Sequence, residues 1–130
     1  MTEKVFATAK DLREGKYVLI DDIPCRIVNI EKSKSGKHGA AKMRITGVGV
    51  FGGEKKTLLS PGDADVEVPM IDRKNVQIMS VSGNTAQVMD SQTYEVYEIE
   101  IPQELQGQLA AGKEAEILEA MGKRMIERVR

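Results

Sequence analysis

Between Lys32 and Arg44 the chain carries five cations, Lys32, Lys34, Lys37, Lys42 and Arg44, and no carboxylate. A local field of that kind attracts phosphate even when the molecule as a whole is slightly acidic. Near the middle of the run stands Gly36-Lys37-His38-Gly39. Glycines on both sides permit backbone angles closed to other residues and remove side-chain bulk. Lys37 is thereby offered as a bare cation that can enter a narrow cavity. The stretch from Glu31 to Lys42 separates two β-rich runs, Ile23–Ile30 and Met43–Val50. Hairpin connections usually take about 2–5 residues, so this one is either functional or merely disordered. Roughly six residues out and six back, at about 3.3 Å each, reach up to ~20 Å from the body of the fold.

Several chemistries can be tested against these residues. A phosphate-binding P-loop needs Gly-x-x-x-x-Gly-Lys-Ser/Thr. Here Glu31 replaces the first glycine and His38 the hydroxyl, so that reading fails. A KH-type Gly-x-x-Gly loop matches in letters, but it belongs between helices and these flanks read as strands. A catalytic lysine needs burial or a neighbour that lowers its pKa, and this loop supplies neither an apolar pocket nor anything but further cations. The composition also suits a solvated basic loop with no dedicated role.

Elsewhere little chemistry is on offer. One His and one Cys cannot form a Cys/His zinc site without several acidic ligands. A Ser-His-Asp or Cys-His arrangement would have to use His38, which sits among lysines. Glu98/Glu100 and Glu114/Glu116 alternate as the solvent face of a strand does. Cys25 lies in an apolar run and reads as a small core residue, and the seven methionines read as core filling. Phe6, Tyr17, Phe51, Tyr94 and Tyr97 are too few and scattered for a base-stacking platform. No catalytic residue and no metal ligand is expected.

The elements that must position the loop are short strands. Tyr17–Ile20 and Ile23–Ile30 flank Asp21-Asp22, a turn-compatible pair. Met43–Val50 carries Gly47 and Gly49, which suggests a bend or bulge in that strand. Val66, Val68 and Met70 alternate. Val76–Val81 and Thr85–Met89 flank Ser82-Gly83-Asn84, and Tyr94–Ile101 reads as a half-buried strand. Such density of strands and turns predicts small barrels. A boundary is expected near Pro69–Lys74, where the charge balance changes: 1–70 hold 12 Lys+Arg and 10 Asp+Glu, whereas 71–130 hold 7 and 10. Pro102-Gln103-Glu104-Leu105 starts a short helix. For 114–129, propensity favours a helix while Gly122 favours two strands and a turn, and periodicity alone leaves both open. The start, Met1-Thr2-Glu3-Lys4, has no apolar run behind it, and no stretch approaches the roughly 20 apolar residues of a membrane span. One cysteine fits a reducing compartment, so a cytoplasmic location is expected.

Ser33-Lys34-Ser35-Gly36-Lys37-His38-Gly39-Ala40-Ala41-Lys42 resembles the hypusine loop of translation initiation factor 5A, specifically its archaeal branch. Pro24-Cys25-Arg26-Ile27-Val28 and the order of strands fit the same family over essentially the whole chain. The resemblance implies an all-β protein: an SH3-like barrel over 1–70 carrying the loop at 31–42, then an OB-fold barrel over 71–130 with one short helix. It replaces the helical reading of 114–129 with two strands around Gly122. It implies that Lys37 receives an aminobutyl group from spermidine through deoxyhypusine synthase, to give deoxyhypusine or, after hydroxylation, hypusine. Ser33, Lys34, Ser35, Gly36, His38, Gly39 and Ala40 would present that side chain, with no bound cofactor. The implied function is that of a non-enzymatic translation factor. It would bind the ribosome beside the peptidyl-transferase centre, touch the peptidyl-tRNA and promote peptide bonds at stalled sites, as the similar bacterial elongation factor P does. The implied partners are the ribosome (its RNA and the peptidyl-tRNA) and deoxyhypusine synthase, with no membrane and no small-molecule substrate. Lys32, Lys34, Lys42 and Arg44 are the candidate phosphate contacts. Two departures mark the archaeal branch. Ala40 stands where eukaryotic members usually carry a second histidine, and a longer eukaryotic N-terminal extension is lacking. The runner-up is a free-standing OB-fold RNA-binding module that uses the basic loop as a phosphate clamp.

Overall fold

The computed structural model describes residues 3–33 and 41–130. These form strands β1 (Lys4–Thr8), β2 (Tyr17–Ile20), β3 (Ile23–Ser33), β4 (Lys42–Gly49), β5 (Lys55–Pro61), β6 (Asp65–Pro69), β7 (Asp72–Ser82), β8 (Thr85–Asp90), β9 (Val96–Glu100), β10 (Glu114–Ala120) and β11 (Lys123–Val129). Two 3-10 turns, Ala9–Asp11 and Gln103–Leu105, are the helical pieces among the described residues. The chain divides into two compact units, Met1–Met70 and Ile71–Arg130.

In the first unit β2, β3, β4 and β5 form one antiparallel sheet in that order, and β1 pairs with β6. The β2–β3 reversal uses Asp21 and Asp22, both at positive φ (54° and 63°). Two consecutive left-handed residues make a hairpin turn whose twist matches the strands. Alternation along the strands then sends Val18, Ile20, Cys25, Ile27, Met43 and Ile45 inward, where Ala9, Leu12 and Val66 complete the core. The irregularity expected in β4 lies instead in its partner: the β3–β4 register shifts between Ile27 and Asn29 and leaves Val28 without a direct opposite. Gly47 has a different reason to be glycine. A Cβ there would lie 2.8 Å from the Cβ of Cys25, so the two strands approach too closely for any larger residue. Cys25 is fully buried in that contact and is the small core residue its setting suggested.

The second unit is one five-stranded sheet in the order β11-β10-β7-β8-β9, all antiparallel. Its inward residues, among them Val76, Ile78, Val88, Ile99, Ile117 and Ile126, form a second core. The curled sheets make an SH3-like barrel followed by an OB-fold barrel. Residues 114–129 are two strands reversing at Met121-Gly122, again with both φ positive (51° and 77°). The ladder to β7 and burial of Ala115, Ile117 and Ile126 override the helical propensity of the segment. The end strands of the sheet are bridged by Arg124 of β11. Its guanidinium lies 4.2 Å from the centroid of the Tyr97 ring on β9. Its Nε donates to Glu119 at 2.7 Å and its Nη1 to Glu95 at 3.3 Å. Burial raises the Tyr97 phenol above its ordinary pKa, which keeps the ring neutral under that cation.

Three expectations need correction. β1 and β5 were not foreseen: β1 holds only five residues, and the double leucine of β5 hides its alternation. Among the described methionines only Met43 is buried; Met70 and Met79 are about half exposed. Glu116 is no solvent-face carboxylate, since its side chain is only 12% exposed and pairs with Arg128 and Arg130.

Two stability tests follow from these contacts. Gly47→Ala is expected to cost about 1–3 kcal/mol, because a rigid Cβ rather than a flexible side-chain end opposes it. Urea unfolding of the first unit reads this directly. Arg124→Ala is expected to cost roughly 1–2 kcal/mol from lost ion pairs and ring contact. Faster amide exchange concentrated in β9 and β11 would report it.

Candidate functional site

The antiparallel ladder between β3 and β4 continues well past the core. Ile27 faces Gly47, Ile30 faces Ile45, Lys32 faces Met43, and the last pair is Ser33 with Lys42. Glu31–Ser33 and Lys42, expected in the loop, are thus strand residues. The loop residues Lys34, Ser35, Gly36, Lys37, His38, Gly39 and Ala40 lie outside the described residues. Their covalent ends do not: the segment leaves β3 at Ser33 and returns through Ala41 to β4.

Directly opposite residues share a face of a sheet. One face therefore carries two rows across β3, β4 and β5: Glu31–Arg44–Leu59, and beyond it Ser33–Lys42–Pro61. The other face carries Ile30–Ile45–Leu58 and Lys32–Met43–Ser60. The candidate phosphate contacts separate accordingly. Lys42 and Arg44 stand together on the outer face, whereas Lys32 sits in a core-side row at the exposed end of the sheet. Lys34 is outside the described residues. Around these strand ends lies a cleft of about 470 Å³ that takes in Glu31, Arg44, Leu59 and Pro61.

Lys42 and Arg44 are exposed, and among the described residues neither forms an ion pair. Glu31, opposite Arg44, instead accepts a hydrogen bond from Asn29 Nδ2 at 3.2 Å. In the second unit five of the seven cations, Arg73, Lys74, Arg124, Arg128 and Arg130, pair with carboxylates. Leu59 was missed as a site residue. It is 74% exposed, more than any other large apolar side chain among the described residues. Its only signal in the sequence was a leucine pair followed by Ser60-Pro61, which does not say which leucine turns outward.

Other chemistry is thin. Among the described residues no group of three or more His, Cys, Asp or Glu could hold a metal ion. Burial raises the Cys25 thiol above its ordinary pKa, and its Sγ–H donates to the Ile23 carbonyl at 3.3 Å, so it is a poor nucleophile. Among the described residues no helix is long and apolar enough to cross a membrane.

Two all-β barrels, the first with a β3–β4 ladder that runs past its core to Ser33 and Lys42, are an architecture compatible with a translation factor. Comparison with known proteins agrees. Residues 3–64 match the family described as translation initiation factor 5A-like, N-terminal, and residues 70–130 match eukaryotic elongation factor 5A hypusine, DNA-binding OB fold. Translation initiation factor 5A of Archaeoglobus fulgidus is 51% identical over 120 residues, covering 92% of this chain and 94% of that protein. The Methanocella arvoryzae protein of the same name is 50% identical over 114 residues, covering 88% and 89%. The solved structure of the Methanococcus jannaschii factor superimposes with a TM-score of 0.93 at 43% identity, covering 99% of this chain and 98% of that one. The chain belongs to the translation initiation factor 5A family, whose named members here are translation factors.

Because Lys42 and Arg44 carry little packing, Lys42→Ala and Arg44→Ala should each shift unfolding by less than about 0.5 kcal/mol. Thermal melts of both variants against wild type check that these cations serve something other than the fold.

Proposed function

We propose that the protein acts on the ribosome, through Lys37, as a cytoplasmic non-enzymatic translation factor. In this reading Lys37 receives an aminobutyl group from spermidine through deoxyhypusine synthase, with hydroxylation as a further step. The lengthened side chain reaches the acceptor end of the peptidyl-tRNA beside the peptidyl-transferase centre, and peptide bonds form where synthesis stalls. Ribosomal RNA and peptidyl-tRNA are the partners, and no cofactor is bound.

The observation that supports this best is the β3–β4 arm in a chain of this family. Its register ends at Ser33 and Lys42 and so tethers Lys37 within a few residues of a rigid ladder. A second amine on Lys37 adds positive charge and length at the tip of that arm, and both favour contact with RNA phosphate. Lys42 and Arg44 at its base, with no ion pair among the described residues, supply phosphate contacts that position without reading sequence.

Intact and peptide masses of the protein from its native host test the modification. An excess confined to Lys37 and equal to an aminobutyl group, with or without one oxygen, is the expected result. Lys37→Arg keeps the charge and should keep the melting midpoint, yet abolish modification and fail to replace the wild-type gene. Full activity of Lys37→Arg in cells would reject the reading and favour a plain RNA-binding module, whose affinity depends on charge alone.

A further inference from the structure

We infer that Glu98 and Glu100 make the outer face of β8 and β9 a barrier to nucleic acid, so that the second unit, although built as an OB-fold, holds no RNA or DNA on that face. The inference concerns the second unit alone and does not depend on modification of Lys37. Residues 70–130 match a family whose description includes DNA binding, and the side chains of this chain depart from that description.

An OB-fold takes oligonucleotides on the face of its second and third strands, with the loops that join strands one to two and four to five as clamps. In this unit those strands are β8 and β9. Ala86, Val88 and Ile99 point into the core, so the alternate residues form the outer face. That face carries the rows Ser82–Thr85–Glu100, Ser80–Gln87–Glu98 and Gln77–Met89–Val96, the last continued on β10 by Glu114. Both loops are minimal. β7 turns into β8 through Gly83-Asn84, and β10 into β11 through Met121-Gly122. Two residues suffice to reverse a strand and leave none to reach over a ligand.

The charge on these strands is of one sign. Residues 75–112, which include most of β7 and all of β8 and β9, hold five carboxylates and no Lys, Arg or His. Binding to phosphate draws its affinity from cations, and none stands in the three rows. Glu98 and Glu100 are exposed and form no ion pair among the described residues. Two positions apart on one strand, they are separated by about 7 Å. That is less than the Debye length of about 10 Å at 0.1 M salt, so their fields add. The cations of the unit without an ion pair among the described residues, Lys113 and Lys123, lie outside the rows. Stacking offers no compensation. Of the two aromatic residues, Tyr97 packs against the core with Arg124 over its ring, and Tyr94, 69% exposed, is a single ring beside Glu95.

The test uses the full-length protein and a labelled single strand of about 12 nucleotides, within the site size of one OB-fold, prepared as RNA and as DNA. Fluorescence anisotropy across a salt series reads affinity, and backbone amide shifts read where the strand lies. Wild-type protein should show no shift in β8 or β9 with either strand. Glu98→Lys combined with Glu100→Lys should raise affinity roughly tenfold at low salt and steepen the fall of log affinity with log salt by about 1.4, from two phosphates at about 0.7 each. New shifts should then appear in β8 and β9. Glu98→Gln combined with Glu100→Gln removes the repulsion without adding cations and should raise affinity roughly threefold. Lys123→Ala should leave wild-type affinity unchanged. Melting midpoints establish that each variant is folded. Wild-type shifts in β8 and β9 overturn the inference. So does a charge-reversed protein that keeps wild-type affinity, or that binds more tightly without shifts in those strands. Wild-type protein that binds neither strand counts against the phosphate contacts of Lys42 and Arg44 and not against the barrier, which the charge-reversed protein still tests.

Discussion

The β3–β4 ladder is the constraint on which the rest depends. A strand pair has a side-chain period of two, so a slip of one residue would turn every side chain to the opposite face. Burial of Cys25, Ile27, Met43 and Ile45 holds the register at the core end. Past the shift at Val28 the alignment changes by one residue, and the buried Ile45, opposite Ile30, and Met43, opposite Lys32, hold the new register in which Glu31 faces Arg44 and Ser33 faces Lys42. The close approach of Gly47 to Cys25 fixes the alignment on the core side of that shift. Core packing at one end of a strand pair thus sets the placement of charged residues at the other.

The distribution of ion pairs follows a separate logic. Most cations of the second unit are partnered across strands, where Arg73 meets Glu127, Lys74 meets Glu119 and Arg124 spans two carboxylates and a ring. Exposed pairs of that kind contribute little each. At the base of the arm Lys42 and Arg44 have no ion pair among the described residues, and Glu31, opposite Arg44, accepts a hydrogen bond from Asn29. Partnering Arg44 would have been simple in a ladder that already places Glu31 opposite it. Leaving it unpaired keeps its field available to a ligand.

Much of this architecture was legible. Strand β2 and the Asp21-Asp22 turn could be read from alternation and turn chemistry, and the chain's family from ten residues around Lys37. The failures have physical causes. Gly47 pointed to an irregularity, but a glycine marks a bulge and a close approach alike, and only the structure separates them. In β5 the pair Leu58-Leu59 puts one leucine toward the core and one into solvent, a distinction set by the register with β4 and invisible in either residue. Propensity favoured a helix over 114–129 because it is local, whereas the ladder to β7 joins residues some 40 positions apart. Methionine was read as core filling because its chemistry allows it, yet Met70 and Met79 are about half exposed.

Stability and recognition are consequently kept apart in the first unit. The residues that hold the barrel, from Val18 to Ile45, lie on one face of the sheet and are fully or nearly fully buried. Those that offer charge and apolar surface lie on the opposite face or past the end of the core, where substitution disturbs few contacts. An arm built this way can change its recognition residues with little effect on folding. The geometric cost falls on the two strands, which must stay paired beyond the last buried row. Hydrogen bonds of the ladder alone would hold such an extension weakly, which is consistent with β5 running alongside β4 as far as Lys42–Pro61 and giving the arm a third strand.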